Sequence, residues 1–235
     1  MSHNSVIDEE IAHFDALATN WWDADGPMRP LHMMNPPRAA WILDRIRKYF
    51  GTHGRILDVG CGAGLLSEAL AKGGFSVTGL DAGADVIEAA RAHAEGQGLD
   101  LTYRQGTAEA LAAEGVTFPV ITALEIIEHV SDPEAFLSSL KALLAPGGLL
   151  FLSTLNRTIK SYAVAKVGAE YMLKLLPVGT HDWQKFIKPE ELSRLSRQVG
   201  LKIEETAGLS YSPLSQTFKV SRDLSVNYLA MAKAA

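Results

Sequence analysis

The chain has 235 residues, 47% of them hydrophobic and 21% charged, with a net charge of −5 and one cysteine. That length supports the core of one domain, and the acidic balance excludes a general nucleic-acid binder, which carries a basic face. A single cysteine excludes an intrachain disulfide, and the acidic opening, without basic and apolar regions, reads as cytoplasmic rather than as a signal peptide.

Ile7, Ile11, Phe14 and Ala18 have helical spacing with acids early, which predicts an N-terminal helical arm. Trp21-Trp22 and the proline-rich stretch Pro30 to Arg38 then suit a lid laying aromatic faces over a ligand, or an arm packed on the core, but not a regular helix. A helix is expected over 39–49, with Arg38 at its entrance, either solvated or aimed at a ligand carboxylate in fork geometry.

The stretch Ile56-Leu57-Asp58-Val59-Gly60-Cys61-Gly62-Ala63-Gly64 reads as strand, tight turn and helix start. Glycines let the backbone approach a ligand, and the N–H groups of the following helix suit an electronegative group. A second apolar run, 76–80, ends on Asp81, an acid suited to both hydroxyls of a ribose. A dinucleotide fingerprint would read G-x-G-x-x-G; here the pattern is G-x-G-x-G. Asp58 would repel a pyrophosphate but suits an ammonium, so a nucleoside with an amino-acid tail fits best. The pattern Asp58, Gly60, Gly62, Gly64, Asp81 resembles the class I S-adenosylmethionine-dependent methyltransferase motif.

A helix over 85–97, a strand over 101–104, a buried strand over 119–124, a helix over 134–144 closed by Pro146-Gly147-Gly148, and a strand over 149–154 follow in alternation. Such a rhythm predicts an α/β fold with a doubly wound, mostly parallel sheet. A helical insertion after the fifth strand, with Val164, Val167, Tyr171 and Leu175 on one face, precedes a helix over 189–199. The β-like runs 217–220 and 226–231 predict an antiparallel terminal hairpin completing a seven-stranded sheet in a single domain, 1–235.

Glu125, Glu128 and His129 stand at i, i+3 and i+4, so one helical face would present all three. His129 would serve as general base, assisted by Glu128. Alternatively, the three would ligate Mg²⁺ or Zn²⁺ and lower the pKa of a bound hydroxyl, or the segment is a capped, solvated helix start. His32 and His181 are secondary candidates. Cys61 occupies a position in the glycine turn that needs a small side chain, and is not read as a nucleophile.

Read in order, Phe14…Trp21-Trp22-Asp23, Pro30-Leu31-His32…Asn35-Pro36…Arg38, Asp58-Val59-Gly60-Cys61-Gly62, Glu125…Glu128-His129, Ser153-Thr154-Leu155-Asn156-Arg157, Gly168-Ala169-Glu170-Tyr171, Gly179-Thr180-His181-Asp182 and Lys185-Phe186-Ile187-Lys188-Pro189 resemble the ubiquinone-biosynthesis O-methyltransferase family. The resemblance implies methyl transfer from S-adenosylmethionine to a phenolic hydroxyl of a polyprenylated ring, with cofactor contacts at Arg38, Gly60, Asp81 and Leu124. Leu124 stands where methionine is frequent, so only a backbone or apolar contact carries over. Phe118-Pro119 departs from the usual aromatic-aspartate pair and puts the local turn in question. A substrate with a prenyl tail implies reversible contact with the inner face of a membrane, for which 160–176 is the candidate, and an association with other quinone-biosynthesis enzymes. The competing readings are a methyltransferase for another small phenol or carboxylate, a nicotinamide oxidoreductase, and a non-catalytic cofactor-binding subunit.

Overall fold

The computed structural model describes residues 5–163 and 183–235. The chain starts with a short helix, α1 (Asp8–Asp15), and a long one, α2 (Arg29–Phe50). It then alternates: β1 (Arg55–Val59), α3 (Leu65–Lys72), β2 (Ser76–Asp81), α4 (Ala84–Ala94), β3 (Leu101–Gln105), α5 (Ala108–Ala113), β4 (Phe118–Leu124), α6 (Pro133–Leu143) and β5 (Leu144–Leu155). The helix α7 (Pro189–Gln198) leads into three antiparallel strands, β6 (Leu201–Ser212), β7 (Thr217–Ser221) and β8 (Asn227–Ala234).

All eight strands form one sheet, ordered β3-β2-β1-β4-β5-β8-β6-β7. β1 to β5 are parallel, as the strand–helix alternation demands, and their near-continuous apolar runs reflect burial on both faces. Two differences from expectation concern the tail. The sheet has eight strands rather than seven, and β7 and β8 do not form a hairpin with each other, because β6 lies between them. β6 is a 12-residue strand that pairs with β8 over 201–209 and with β7 over 208–212. Its mixed sequence, Leu201-Lys202-Ile203-Glu204-Glu205-Thr206, alternates in burial and makes too weak an apolar run to stand out.

Two hydrophobic clusters cover the faces of the sheet. One, around Leu57, Ile121, Leu137, Leu150 and Tyr228, packs under α5, α6 and α7. The other, around Trp41, Ile46, Leu70, Val77 and Phe151, packs under α2 and α3. Helix α2 begins ten residues earlier than its proline content suggests. Pro30 lies in its first turn, where an N–H would lack a partner in any case. Pro36 and Pro37 lie inside it and remove two ladder bonds, but Met34, Asn35, Arg38 and Trp41 on the same helix are buried. Tertiary packing outweighs the local cost. At the Phe118-Pro119 departure the pairing of β4 with β5 shifts register between Phe118 and Val120. A residue without an N–H is tolerated at such an irregularity.

The insertion face of Val164, Val167, Tyr171 and Leu175, the block Gly179 to Asp182 with His181, and most of 160–176 lie outside the described residues.

Candidate active site

The carboxyl ends of β1, β2, β4 and β5 meet where the strand order reverses, the place at which open α/β sheets bind ligands. A cavity of about 1350 Å³ lies there, with Arg38, Asp58, Gly60, Gly62, Asp81, Leu124, Glu125 and His129 among the residues of its wall. Pockets for one small ligand are typically about 300–1,000 Å³, so this one has room for two ligands side by side.

Asp58 sits at the end of β1 with its carboxylate buried, accepting from Ser67 Oγ on α3 at 2.6 Å and from Thr122 Oγ1 on β4 at 2.7 Å. Burial pushes its pKa up to about 6 in spite of these two bonds and the nearby Arg38 charge. Gly60 and Gly62 follow with φ of 69° and 53°, which a side chain would resist. Space forbids one as well: a Cβ on Gly60 would come 2.4 Å from Ile126, and one on Gly62 would come 2.3 Å from the Trp21 ring. Gly64 is outside the cavity wall; its Cβ would strike the Tyr103 hydroxyl, so it serves the packing of α3 on β3.

Asp81 closes β2. One oxygen accepts from Gly62 N at 2.8 Å, and the other accepts from Gly83 N at 3.0 Å, tying the glycine turn to the next strand. Each oxygen retains a lone pair for a ligand hydroxyl in the cavity. Burial raises its pKa, and the amides of Gly83 and Gly62 oppose the rise. Cys61 is buried in the turn, its Sγ–H directed at Gly62 O, with a thiol pKa pushed far up by burial. An inert thiol matches the expectation that it fills space.

Arg38 is buried on α2. Its Nε donates to Asn35 Oδ1 at 3.3 Å, and Asn35 Nδ2 is fixed on Leu65 O at 2.7 Å. Nη1 is buried without a hydrogen-bond partner among the described residues. Burial lowers the guanidinium pKa while Glu125 and Asp58 hold it up. A buried guanidinium with an unused donor, on a cavity wall, is suited to a ligand carboxylate.

The N-terminal arm covers this set. Trp21 packs on Gly62, and Trp22 Nε1 donates to Ala63 O at 2.9 Å while its ring stacks on His93 at 3.4 Å. His32 Nε2 lies 2.8 Å from Trp21 O and donates to it, so this histidine positions the arm; it is not among the residues of the cavity wall. Asp15 Oδ1 accepts from Asp85 N and Val86 N, both at 3.1 Å, capping α4 from a distant part of the chain. The arm is packed on the core, with Trp21 forming part of the cavity wall.

The expected single helical face of Glu125, Glu128 and His129 is not formed. Glu125 has φ of 53° in a bend after β4, and only Ile127–His129 turn, as one 3₁₀ turn. The register of i, i+3 and i+4 is thereby lost. Glu125 accepts from Ser153 Oγ at 2.6 Å and from Asn227 Nδ2 at 2.9 and 3.0 Å. Glu128 lines a smaller cavity with Arg157, Lys185 and Ile187, not the large one, and its Oε2 accepts from Thr154 Oγ1 at 2.9 Å. Its Oε1 is buried without a partner among the described residues. Burial first, and the Glu125 charge second, raise the Glu128 pKa to about 8. His129 does reach the large cavity; its Nδ1 lies 3.1 Å from Glu10 Oε2 on α1, and Phe14 meets its ring edge-on at 5.3 Å. Burial lowers the imidazole pKa and Glu10 opposes it, so the ring is neutral near pH 7. Among the described residues no group of three or more His, Cys, Asp or Glu side chains is arranged to hold a metal ion. Glu10, Asp15, Ser67 and Thr122 were not singled out by the sequence; an acid in the first turn of a short helix reads as an ordinary N-terminal charge.

The fold and the glycine turn define a class I methyltransferase. A family model described as a methyltransferase domain matches residues 33–206. Among solved structures, magnesium protoporphyrin IX methyltransferase from Synechocystis PCC 6803, with SAH bound, superposes with a TM-score of 0.68 at 19% identity, covering 97% of this chain and 100% of that one. Two curated proteins named ubiquinone biosynthesis O-methyltransferase are each 48% identical: one from Parvibaculum lavamentivorans, spanning 100% of this chain and 96% of its own, and one from Dinoroseobacter shibae, spanning 96% and 95%. The chain belongs to the ubiquinone biosynthesis O-methyltransferase family.

Proposed function

We infer that the protein transfers a methyl group from S-adenosylmethionine to a phenolic hydroxyl of a polyprenylated catechol or quinol in ubiquinone biosynthesis. The observation that carries this reading is the pairing, in one cavity, of an amino-acid-nucleoside set with a buried neutral histidine. Asp81 takes the ribose hydroxyls, Arg38 Nη1 the carboxylate, and Asp58 balances the positive charge of the donor. Leu124 and the Gly60–Gly62 backbone flank the adenosyl group. In-line displacement needs donor carbon and acceptor oxygen held in register, which is worth about 7–11 kcal/mol in the best cases. The arm supports that alignment by closing the site with Trp21 on Gly62.

His129 removes the phenol proton. Its Nδ1–H donates to Glu10, which makes Nε2 the acceptor nitrogen of the ring. Glu128 faces the smaller cavity, apart from Glu125 and His129, so the described residues do not fit a Mg²⁺ or Zn²⁺ site and no step is routed through an ion. For the substrate tail to arrive from a bilayer, the protein must touch a membrane reversibly; exposed Ile159, just before 160–176, and Tyr162, within its described start, support that contact. No described helix is long and apolar enough to cross one. Other enzymes of the same pathway are proposed as neighbours on that surface.

The experiment is a His129→Ala comparison. Turnover is expected to fall more than about a hundredfold, as for loss of an acid–base group, with S-adenosylmethionine affinity nearly unchanged. Normal turnover would remove His129 from the reaction.

A further inference from the structure

The cavity does not end at His129. The donor set belongs to the ends of β1 and β2, and Glu125 and Asn227 mark the ends of β4 and β8, so the reacting centre lies over the middle of the sheet. On the far side the wall continues over β6 and β7, which lie two and three strands beyond β5. At about 4.8 Å per strand, that extension runs about 10–15 Å past the reacting centre.

Its lining is apolar in kind. Met33 and Met34 come from the first turns of α2, Tyr211 and Pro213 from the end of β6, and Phe218 from β7. Tyr211 and Phe218 are partners across the β6–β7 pair, with rings 5.1 Å apart. Lys160 Nζ is paired with Asp223 at 2.7 Å, which leaves Arg29, at the outer rim, as the charge of this part with no ion pair among the described residues. Methionine adapts its shape to a flexible apolar guest, and aromatic side chains offer it flat walls. At the outer end Tyr211 is 47% exposed, so this wall reaches the surface near the tip of the β6–β7 connection. Arg29 Nη2 donates to Gln216 Oε1 at 3.5 Å there, bridging α2 and that connection.

We propose that this branch, between the start of α2 and the β6–β7 pair, is the binding groove for the isoprenoid tail of the acceptor, with the tail entering at the β6–β7 tip and the ring leading toward His129. This rests on the methyl-transfer reading above. It makes Tyr211 and Phe218 specificity-determining residues, acting on tail recognition and not on the proton or the methyl group.

The test measures kcat/KM for two acceptors, a catechol without a tail and the same catechol carrying two isoprene units, in the wild type, Phe218→Ser and Tyr211→Asp. Tyr211 is half exposed, so its variant keeps the fold even if loss of Phe218 does not. The ratio of tailed to tail-free kcat/KM is expected to fall about tenfold or more in the variants. An unchanged ratio, with both acceptors still methylated, would overturn the groove and leave the methyl-transfer reading standing. Absence of methylation of either acceptor by the wild type would overturn both.

Discussion

Replacing Asp58 by asparagine separates the two demands placed on that carboxylate. In the ligand-free fold its charge is buried, and the difference between a pKa of about 6 and the ordinary 3.8 corresponds to about 3 kcal/mol of lost stability once the group is ionised. The sign follows from a folded-state pKa above the unfolded one: stability from this group is full below pH 3.8 and is lost as pH rises through about 6. The Asp58→Asn change removes the charge, yet the new amide oxygen and nitrogen can still meet the Ser67 and Thr122 hydroxyls, at a cost of about 1 kcal/mol for poorer bonds. The ligand-free variant is therefore expected to be more stable at pH 8 by about 2 kcal/mol, or about 4–8 °C in melting temperature for a chain of this size. By pH 5 the advantage should shrink to under about 1 kcal/mol. The donor's positive charge loses its counterpart in the same variant, so S-adenosylmethionine affinity should fall about tenfold or more. Differential scanning calorimetry at pH 5 and pH 8, with titration calorimetry of the ligand, reads all three. A variant that melts lower than wild type at pH 8, or binds S-adenosylmethionine normally, would refute the reasoning.

Two further expectations concern the turn and the ribose acid. Gly62→Ala should displace the Trp21 ring, because its Cβ would lie 2.3 Å away, and adds about 1–2 kcal/mol of backbone strain; a shift in tryptophan emission together with at least tenfold weaker S-adenosylhomocysteine binding checks it, and an unaltered spectrum would count against the packed arm. Asp81→Asn keeps one acceptor oxygen but brings an amide toward Gly62 N or Gly83 N, so S-adenosylmethionine affinity should fall by about tenfold to a hundredfold while kcat at saturation changes little, as initial-rate kinetics would reveal.

The sequence carried the parallel half of the sheet plainly, because buried strands of Leu, Ile and Val alternate with helices closed by glycine. It also carried a group of residues close together in the chain, Asp58, Gly60, Gly62 and Asp81, that line one cavity, for which donor binding is the proposed role. What it concealed was long range. The acceptor from His129 is Glu10, 119 residues away, and the carboxylate of Glu125 is held by Asn227, 102 residues away. The spacing of Glu125, Glu128 and His129 suggested one helical face, but the positive φ at Glu125 breaks the helix before it starts and sends Glu128 into a different cavity. Period arguments assume regular backbone, and the turn after β4 is not regular. Likewise β6 was hidden by its charged outer positions, and with it the wall of the tail groove.

The central claim is methyl transfer to a phenolic oxygen, and the most direct measurement is transfer of labelled methyl from S-adenosylmethionine to a short-prenyl catechol, run before and after treatment with a chelator. Formation of the labelled O-methyl ether, identified by mass spectrometry, is the result the account predicts. Retention of activity after chelation is the expected result, with proton removal by His129; loss restored by Mg²⁺ or Zn²⁺ would contradict that assignment. Binding of S-adenosylmethionine without any labelled ether, with or without added metal, would contradict the account.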